Sequence, residues 1–162
     1  MFHPMLSRTY VFFLAGLLSG CAMSPAAVDT ALMDAAEPVR PHAAVSVAPQ
    51  TSAAGQVVDP RQLAITLTVT WDGEVPWEGT APTSRIYDLT IMDGGDEIWR
   101  WSDGQAFAQA ITPISVPARG ALSYTEVWTA PADLPPGTYT VTGYFVPAQA
   151  QASAQIHLPA TR

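Results

Sequence analysis

Hydrophobic and polar residues alternate at every second position over several stretches of this chain, the period of strands with one buried face. The clearest stretch is Leu63-Ala-Ile-Thr-Leu-Thr-Val-Thr-Trp71, in which Leu63, Ile65, Leu67, Val69 and Trp71 face one way and Thr66, Thr68 and Thr70 the other. β-Branched residues on the wet face suit a half-buried antiparallel strand. Tyr87, Leu89 and Ile91 repeat the pattern, with Asp88 and Thr90 between them. Asp93-Gly-Gly-Asp96 supplies glycines for a tight reversal. Glu97-Ile-Trp-Arg-Trp101 then returns, with Trp99 and Trp101 on one face and Ile98 and Arg100 on the other. This predicts a hairpin whose tryptophans fill the middle of a sandwich. Further on, Leu122, Tyr124 and Trp128 share a face that Glu126 interrupts. Tyr139, Val141 and Phe145 look inward between Thr138, Thr140, Thr142 and Tyr144, and residues 152–158 can close the sheet. Val75-Pro-Trp77 and Ile111-Thr-Pro-Ile-Ser-Val-Pro117 are confined to edges, because proline cannot donate to a ladder.

Turns or loops separate these runs at 72–74, 79–84, 102–110, 118–120 and 131–137, each marked by Gly, Pro, Asp or Ser. About seven strands in roughly 100 residues predict an all-β fold, an antiparallel immunoglobulin-like β-sandwich spanning residues 61–158. A small closed barrel is the runner-up. The fifteen prolines and eleven glycines fit such a turn-rich architecture.

The N-terminal third has a different character. Arg8 precedes Tyr10-Val-Phe-Phe-Leu-Ala-Gly-Leu-Leu18, an apolar run far shorter than the roughly 20 residues that span a bilayer. Together they read as a secretory signal peptide over 1–20. Leu18-Ser-Gly-Cys21 resembles the bacterial lipobox. That resemblance implies cleavage before Cys21, acylation of its thiol and new amino group, and a membrane anchor through the lipidated Cys21. Several acyl chains, at about 0.8 kcal/mol per buried CH₂, hold such an anchor stably. Cys21 is the one cysteine of the chain, so its lipidation leaves no thiol for a disulfide, redox or nucleophilic role. Ala22 in place of aspartate implies sorting to the outer membrane in a diderm, facing the periplasm.

Residues 22–60 contain no aromatic side chain, and Pro25, Pro38, Pro41, Pro49 and Pro60 interrupt any helix. Such a segment buries too little apolar area to offset its ordering entropy. The expectation is a lipidated cysteine followed by a flexible Ala/Pro-rich tether over 21–60, its ends roughly 35 Å apart as a coil. The competing reading adds residues 43–48 to the domain as an edge strand.

Charge narrows the partners. The chain has no lysine, seven arginines and fourteen carboxylates, for a net charge of −7. No basic face is available for phosphate contacts, which argues against nucleic acid. Beyond the leader only His42 and His157 remain, and neither has a second metal-ligating side chain at suitable spacing, so no metal or cofactor is expected. No Gly-x-Ser-x-Gly elbow is present, and Asp72, Glu74, Asp93, Asp96, Asp103 and Asp133 all fall at turns, where solvation explains them. The expected protein is not an enzyme.

Arg85-Ile-Tyr-Asp-Leu89, Glu97-Ile-Trp-Arg-Trp-Ser102, Ala106-Phe-Ala-Gln-Ala110, Tyr124-Thr-Glu-Val-Trp128 and Leu134-Pro-Pro-Gly-Thr-Tyr-Thr-Val-Thr-Gly-Tyr144, in that order, resemble the bacterial intracellular proteinase inhibitor family BsuPI. The resemblance covers about residues 63–145. It implies a compact immunoglobulin-like β-sandwich and, from the member that names the family, inhibition of a cytoplasmic serine proteinase. The export signal of this chain separates it from such a target.

The chain is therefore expected to be a lipid-anchored envelope protein whose sandwich binds another protein. Extracytoplasmic proteinase inhibition through the loops at 79–84 and 104–109 is one alternative, and carbohydrate or peptidoglycan binding through exposed aromatics is another. Trp77, beside Pro76, and Phe107 are the candidate partner contacts.

Overall fold

The computed structural model describes residues 39–51 and 53–160, which lie in one compact unit. Among them there is no helix. Nine strands follow one another: β1 His42–Thr51, β2 Val57–Trp71, β3 Trp77–Ala81, β4 Tyr87–Asp93, β5 Asp96–Arg100, β6 Thr112–Val116, β7 Gly120–Thr129, β8 Gly137–Phe145 and β9 Ala150–Leu158. All pairings are antiparallel. They form a three-stranded sheet β1-β2-β7, a four-stranded sheet β5-β4-β8-β9 and a two-stranded ribbon β3-β6. This is the strand order of an immunoglobulin-like sandwich, with β6 drawn off to pair with the additional β3.

The alternation seen in the sequence places the core. Ile65, Leu67 and Val69 of β2, Leu89 and Ile91 of β4, and Val141 and Phe145 of β8 are fully buried between the sheets. On the outer face of β2, the Thr66 hydroxyl meets that of Thr125 across to β7 at 2.9 Å. The sheets approach closely at Gly143 of β8. A Cβ there would stand 2.7 Å from Val45 Cγ2 and 2.9 Å from Leu67 Cδ1, so only glycine fits without displacement. Tyr139 closes one end: its hydroxyl donates to the Pro135 carbonyl at 2.6 Å, the tyrosine-corner arrangement of this fold. At the same end the buried Arg61 guanidinium donates to Pro131 O and Leu134 O, at 2.6 and 2.9 Å, and ties the β7–β8 loop down.

Three expectations are corrected. There are nine strands rather than about seven. The stretch expected as tether up to Pro60 contains β1 and the start of β2. β1 forms because β2 offers it an unpaired edge over 57–70 and because Val45 has a seat against Gly143. The edge-strand alternative for 43–48 is what the structure shows. Cys21, the signal peptide and the tether up to residue 38 lie outside the described residues. Finally, the tryptophans do not fill the middle. The aliphatic residues do, and Trp71, Trp77, Trp99 and Trp101 are half-buried around the rim while Trp128 is buried. The hairpin itself turns at Gly94 with φ +56°, and a bulge between Ile91 and Met92 leaves Ile98 outside the pairing.

Candidate functional site

Asp88 sits on the outer face of β4, where alternation predicts a wet residue, yet it is buried. The reason is its neighbours. Leu89 N donates to Asp88 Oδ1 at 3.0 Å, and Ser102 N donates to the same oxygen at 3.3 Å. Ser102 Oγ, Arg85 Nη1 and Arg100 Nη1 donate to Oδ2 at 2.8, 3.0 and 3.1 Å. Arg100 also forks onto Glu97. Two arginines and a serine thus cover one carboxylate, and each of its oxygens has more than one donor. The cluster floors a shallow depression of about 530 Å³ on the outer face of the four-stranded sheet, shared with Thr142 and Tyr144.

The structural consequence of this hub is the way the chain leaves β5. Trp101 N extends the ladder to Leu89 O at 2.9 Å, and Ser102 is fixed on Asp88. Asp103 N and Gln105 N then close tight turns back onto Arg100 O and Ser102 O, with Gly104 at φ +74°. The following segment, 105–111, is exposed except for Phe107.

That segment has no ladder of its own, but it is held at four points. Phe107 leans on Trp101, with ring centroids 5.8 Å apart. Ala108 N donates to Ser84 Oγ at 2.8 Å, and Ser84 N donates to Ala108 O at 3.0 Å. Thr112 Oγ1 donates to Ala110 O at 3.2 Å, and Gln105 Nε2 donates to Trp101 O at 2.6 Å. Its far end enters β6, which pairs with β3, and β3 leads through residues 82–83 back to Ser84. The two loops singled out in the sequence, 79–84 and 104–109, therefore form one surface. Within the first of them residues 79–81 are strand rather than loop.

Beneath the loop runs a chain of rings that joins it to the core. Trp101 stacks on Tyr87 at 4.3 Å, Tyr87 on Tyr124 at 4.5 Å, and Tyr124 on Phe145 at 6.2 Å. Glu126, the residue that broke the inward pattern of β7, accepts the Tyr87 hydroxyl at 2.5 Å. Burial, and then this carboxylate, push the Tyr87 phenol well above the ordinary tyrosine range; burial raises Tyr124 as well.

The candidate contacts fall in different places. Trp77 is half-buried, tilted against Phe145 at 6.3 Å, with its indole laid across Gly79, where a Cβ would come within 2.1 Å of it. Phe107 lies in the exposed loop but spends one face on Trp101. Trp71, Trp77, Trp99 and Trp101 are half-buried and Trp128 is buried, so none stands fully open to solvent. His42 and His157 are exposed on strands of different sheets, and no three His, Cys, Asp or Glu side chains converge among the described residues.

The loop is thus ordered along its length while most of its side chains face solvent. The profile described as BsuPI, intracellular proteinase inhibitor, matches residues 46–150, and the chain belongs to that family. The family is one of inhibitors, not catalysts. No curated protein matches the chain. Among solved structures it is similar to a β-glucosidase from Listeria innocua and to the β-glucosidase EmGH1 from Erythrobacter marinus, each at 11% identity and TM-score 0.35. Each match covers 72% of this chain and 16% of the glucosidase, so the chain spans about a sixth of their length. It is also similar to a Bordetella pertussis protein described as ApaA, at 22% identity and TM-score 0.34, covering 77% of this chain and 99% of that one.

Proposed function

We propose that this protein is an exported, Cys21-lipidated member of the inhibitor family that holds a proteinase at the cell envelope through the loop 104–111. The observation that carries the reading is the clamp on that loop. Ala108 is bonded through both its N–H and its carbonyl to Ser84, while the surrounding side chains face solvent. A segment ordered before it meets its partner loses little entropy on binding, which is what a tight inhibitor requires. The lipobox at Leu18-Ser-Gly-Cys21 motivates the anchor and directs the search to envelope rather than cytoplasmic proteinases. The plainer alternative is an adaptor that binds a non-proteolytic envelope protein, and the shallow face around Asp88 and Tyr144 is the surface available to it.

The test is a crosslinking pull-down from native envelopes with the lipidated chain, alongside a Cys21→Ala control. Enrichment of a proteinase with the anchored form, together with loss of its activity in the complex, is the expected result. Repeated recovery of a non-proteolytic protein favours the adaptor. Recovery of no protein, or of cell-wall glycan in its place, contradicts both.

A further inference from the structure

We infer that Ile111 is the side chain this loop offers to its target, and that the target's primary pocket is small, apolar and uncharged; the inference rests on the inhibitor reading above. A proteinase selects its partners largely by the side chain that enters one pocket: a carboxylate in that pocket takes arginine or lysine, a deep apolar slot takes an aromatic ring, and a small one takes short aliphatic groups. Each class can be tried against the groups this domain presents.

Among the described residues no cation is on offer. The chain has no lysine, and residues 104–118 carry no charged side chain at all. Of the described arginines, Arg40 donates to Ala148 O, Arg61 is buried, and Arg85 and Arg100 are spent on Asp88. Arg119 is exposed but stands at φ +49°, in a turn held by its N–H to Gly73 O, with its guanidinium on Glu74. A left-handed residue in a closed turn does not lie extended along a cleft.

Large rings are engaged too, since Phe107 is held on Trp101. The amides of Gln105 and Gln109 turn back onto Trp101 O and Phe107 O of their own loop. Ala106, Ala108 and Ala110 present a single methyl each. Ile111 remains: it is 75% exposed, the most open large apolar side chain of the loop. Its backbone is fixed on both sides, by the Thr112 hydroxyl on Ala110 O and by the start of β6. An exposed isoleucine on a held backbone gains most of its burial free energy when a pocket closes on it.

The test uses the full-length chain against three serine proteinases that differ in this pocket, trypsin, chymotrypsin and elastase. The expected pattern is inhibition of elastase at least about a hundredfold tighter than of trypsin. Ile111→Arg should lose that inhibition by a similar factor and gain trypsin, while Ile111→Ser should lose elastase and gain nothing. Because Ile111 packs against little, both variants should keep the wild-type melting temperature. Trypsin inhibition by the wild type, or elastase inhibition unchanged in both variants, overturns the assignment and leaves the inhibitor reading standing. Inhibition of none of the three, or of any envelope proteinase recovered by the pull-down, overturns both.

Discussion

Asp88→Ala tests how the sandwich holds its loop. The carboxylate accepts from Leu89 N, Ser102 N and Oγ, Arg85 and Arg100. The two arginine side chains are 43% and 34% exposed, so on losing Asp88 they turn to water, and their ion pairs are discounted accordingly. The backbone donors have less freedom. With about 1.5 kcal/mol for each backbone bond and about 1 for the serine hydroxyl, set against the desolvation the carboxylate no longer bears, the net loss is about 2–3 kcal/mol. For a domain of this size that corresponds to a fall of about 10 °C in Tm. Asp88→Asn keeps one carbonyl oxygen for the two N–H donors and should lose only about 1 kcal/mol. Urea titration followed by tryptophan fluorescence reads both, with the midpoint moving and the slope unchanged. Since Ser102 begins the loop, Asp88→Ala should also weaken partner binding although no residue of 105–111 is altered. A Tm within about 2 °C of wild type, or destabilisation with binding intact, would refute the claim that Asp88 organises the loop.

Two further predictions concern the core. Gly143→Ala should cost about 1–3 kcal/mol by overpacking against Val45 and Leu67, and a second change, Val45→Ala, should recover part of it; additive losses in denaturant titrations would show that β1 does not pack there. Stability should hold up to about pH 10 and fall above it, because Tyr87 and Tyr124 keep their protons more tightly folded than unfolded: the unfolded chain ionises first, and the stabilisation is lost progressively as pH rises through the higher folded-state values. Tyr87→Phe should flatten that alkaline slope, as seen by melting temperature against pH.

What could be read along the chain was the local period. β2 and β8 announce themselves because large inward residues alternate with threonines, and β4 because Tyr87, Leu89 and Ile91 alternate with Asp88 and Thr90. β1 does not, since Ala44, Val45, Ser46, Val47 and Ala48 are small and prolines flank them; β2's free edge makes it a strand, and no window of sequence contains that edge. The site was legible in part. Both loops were visible as exposed segments, but the Ser84–Ala108 pairing joins residues 24 apart and has no local signature. Asp88 looked like an ordinary wet-face residue because Arg100 and Ser102 arrive from 12 and 14 positions away. Glu126 is the instructive case: a carboxylate interrupting an inward-facing run was itself the signal of a buried polar contact, here with Tyr87. The tryptophans misled because a large apolar ring suggests a centre, whereas indoles that need an outlet for N–H, as Trp71 has in Val75 O, settle at the rim.

The most direct test of the central claim is site-specific photocrosslinking in living envelopes. A photoreactive residue replaces Gln109 in the loop, or Gln155 on the exposed face of β9 as the control. The account predicts one strong adduct from position 109, containing a proteinase, and none of comparable yield from position 155. An adduct from 155 with nothing from 109 would contradict it and move the partner off the loop to the outer face of the four-stranded sheet.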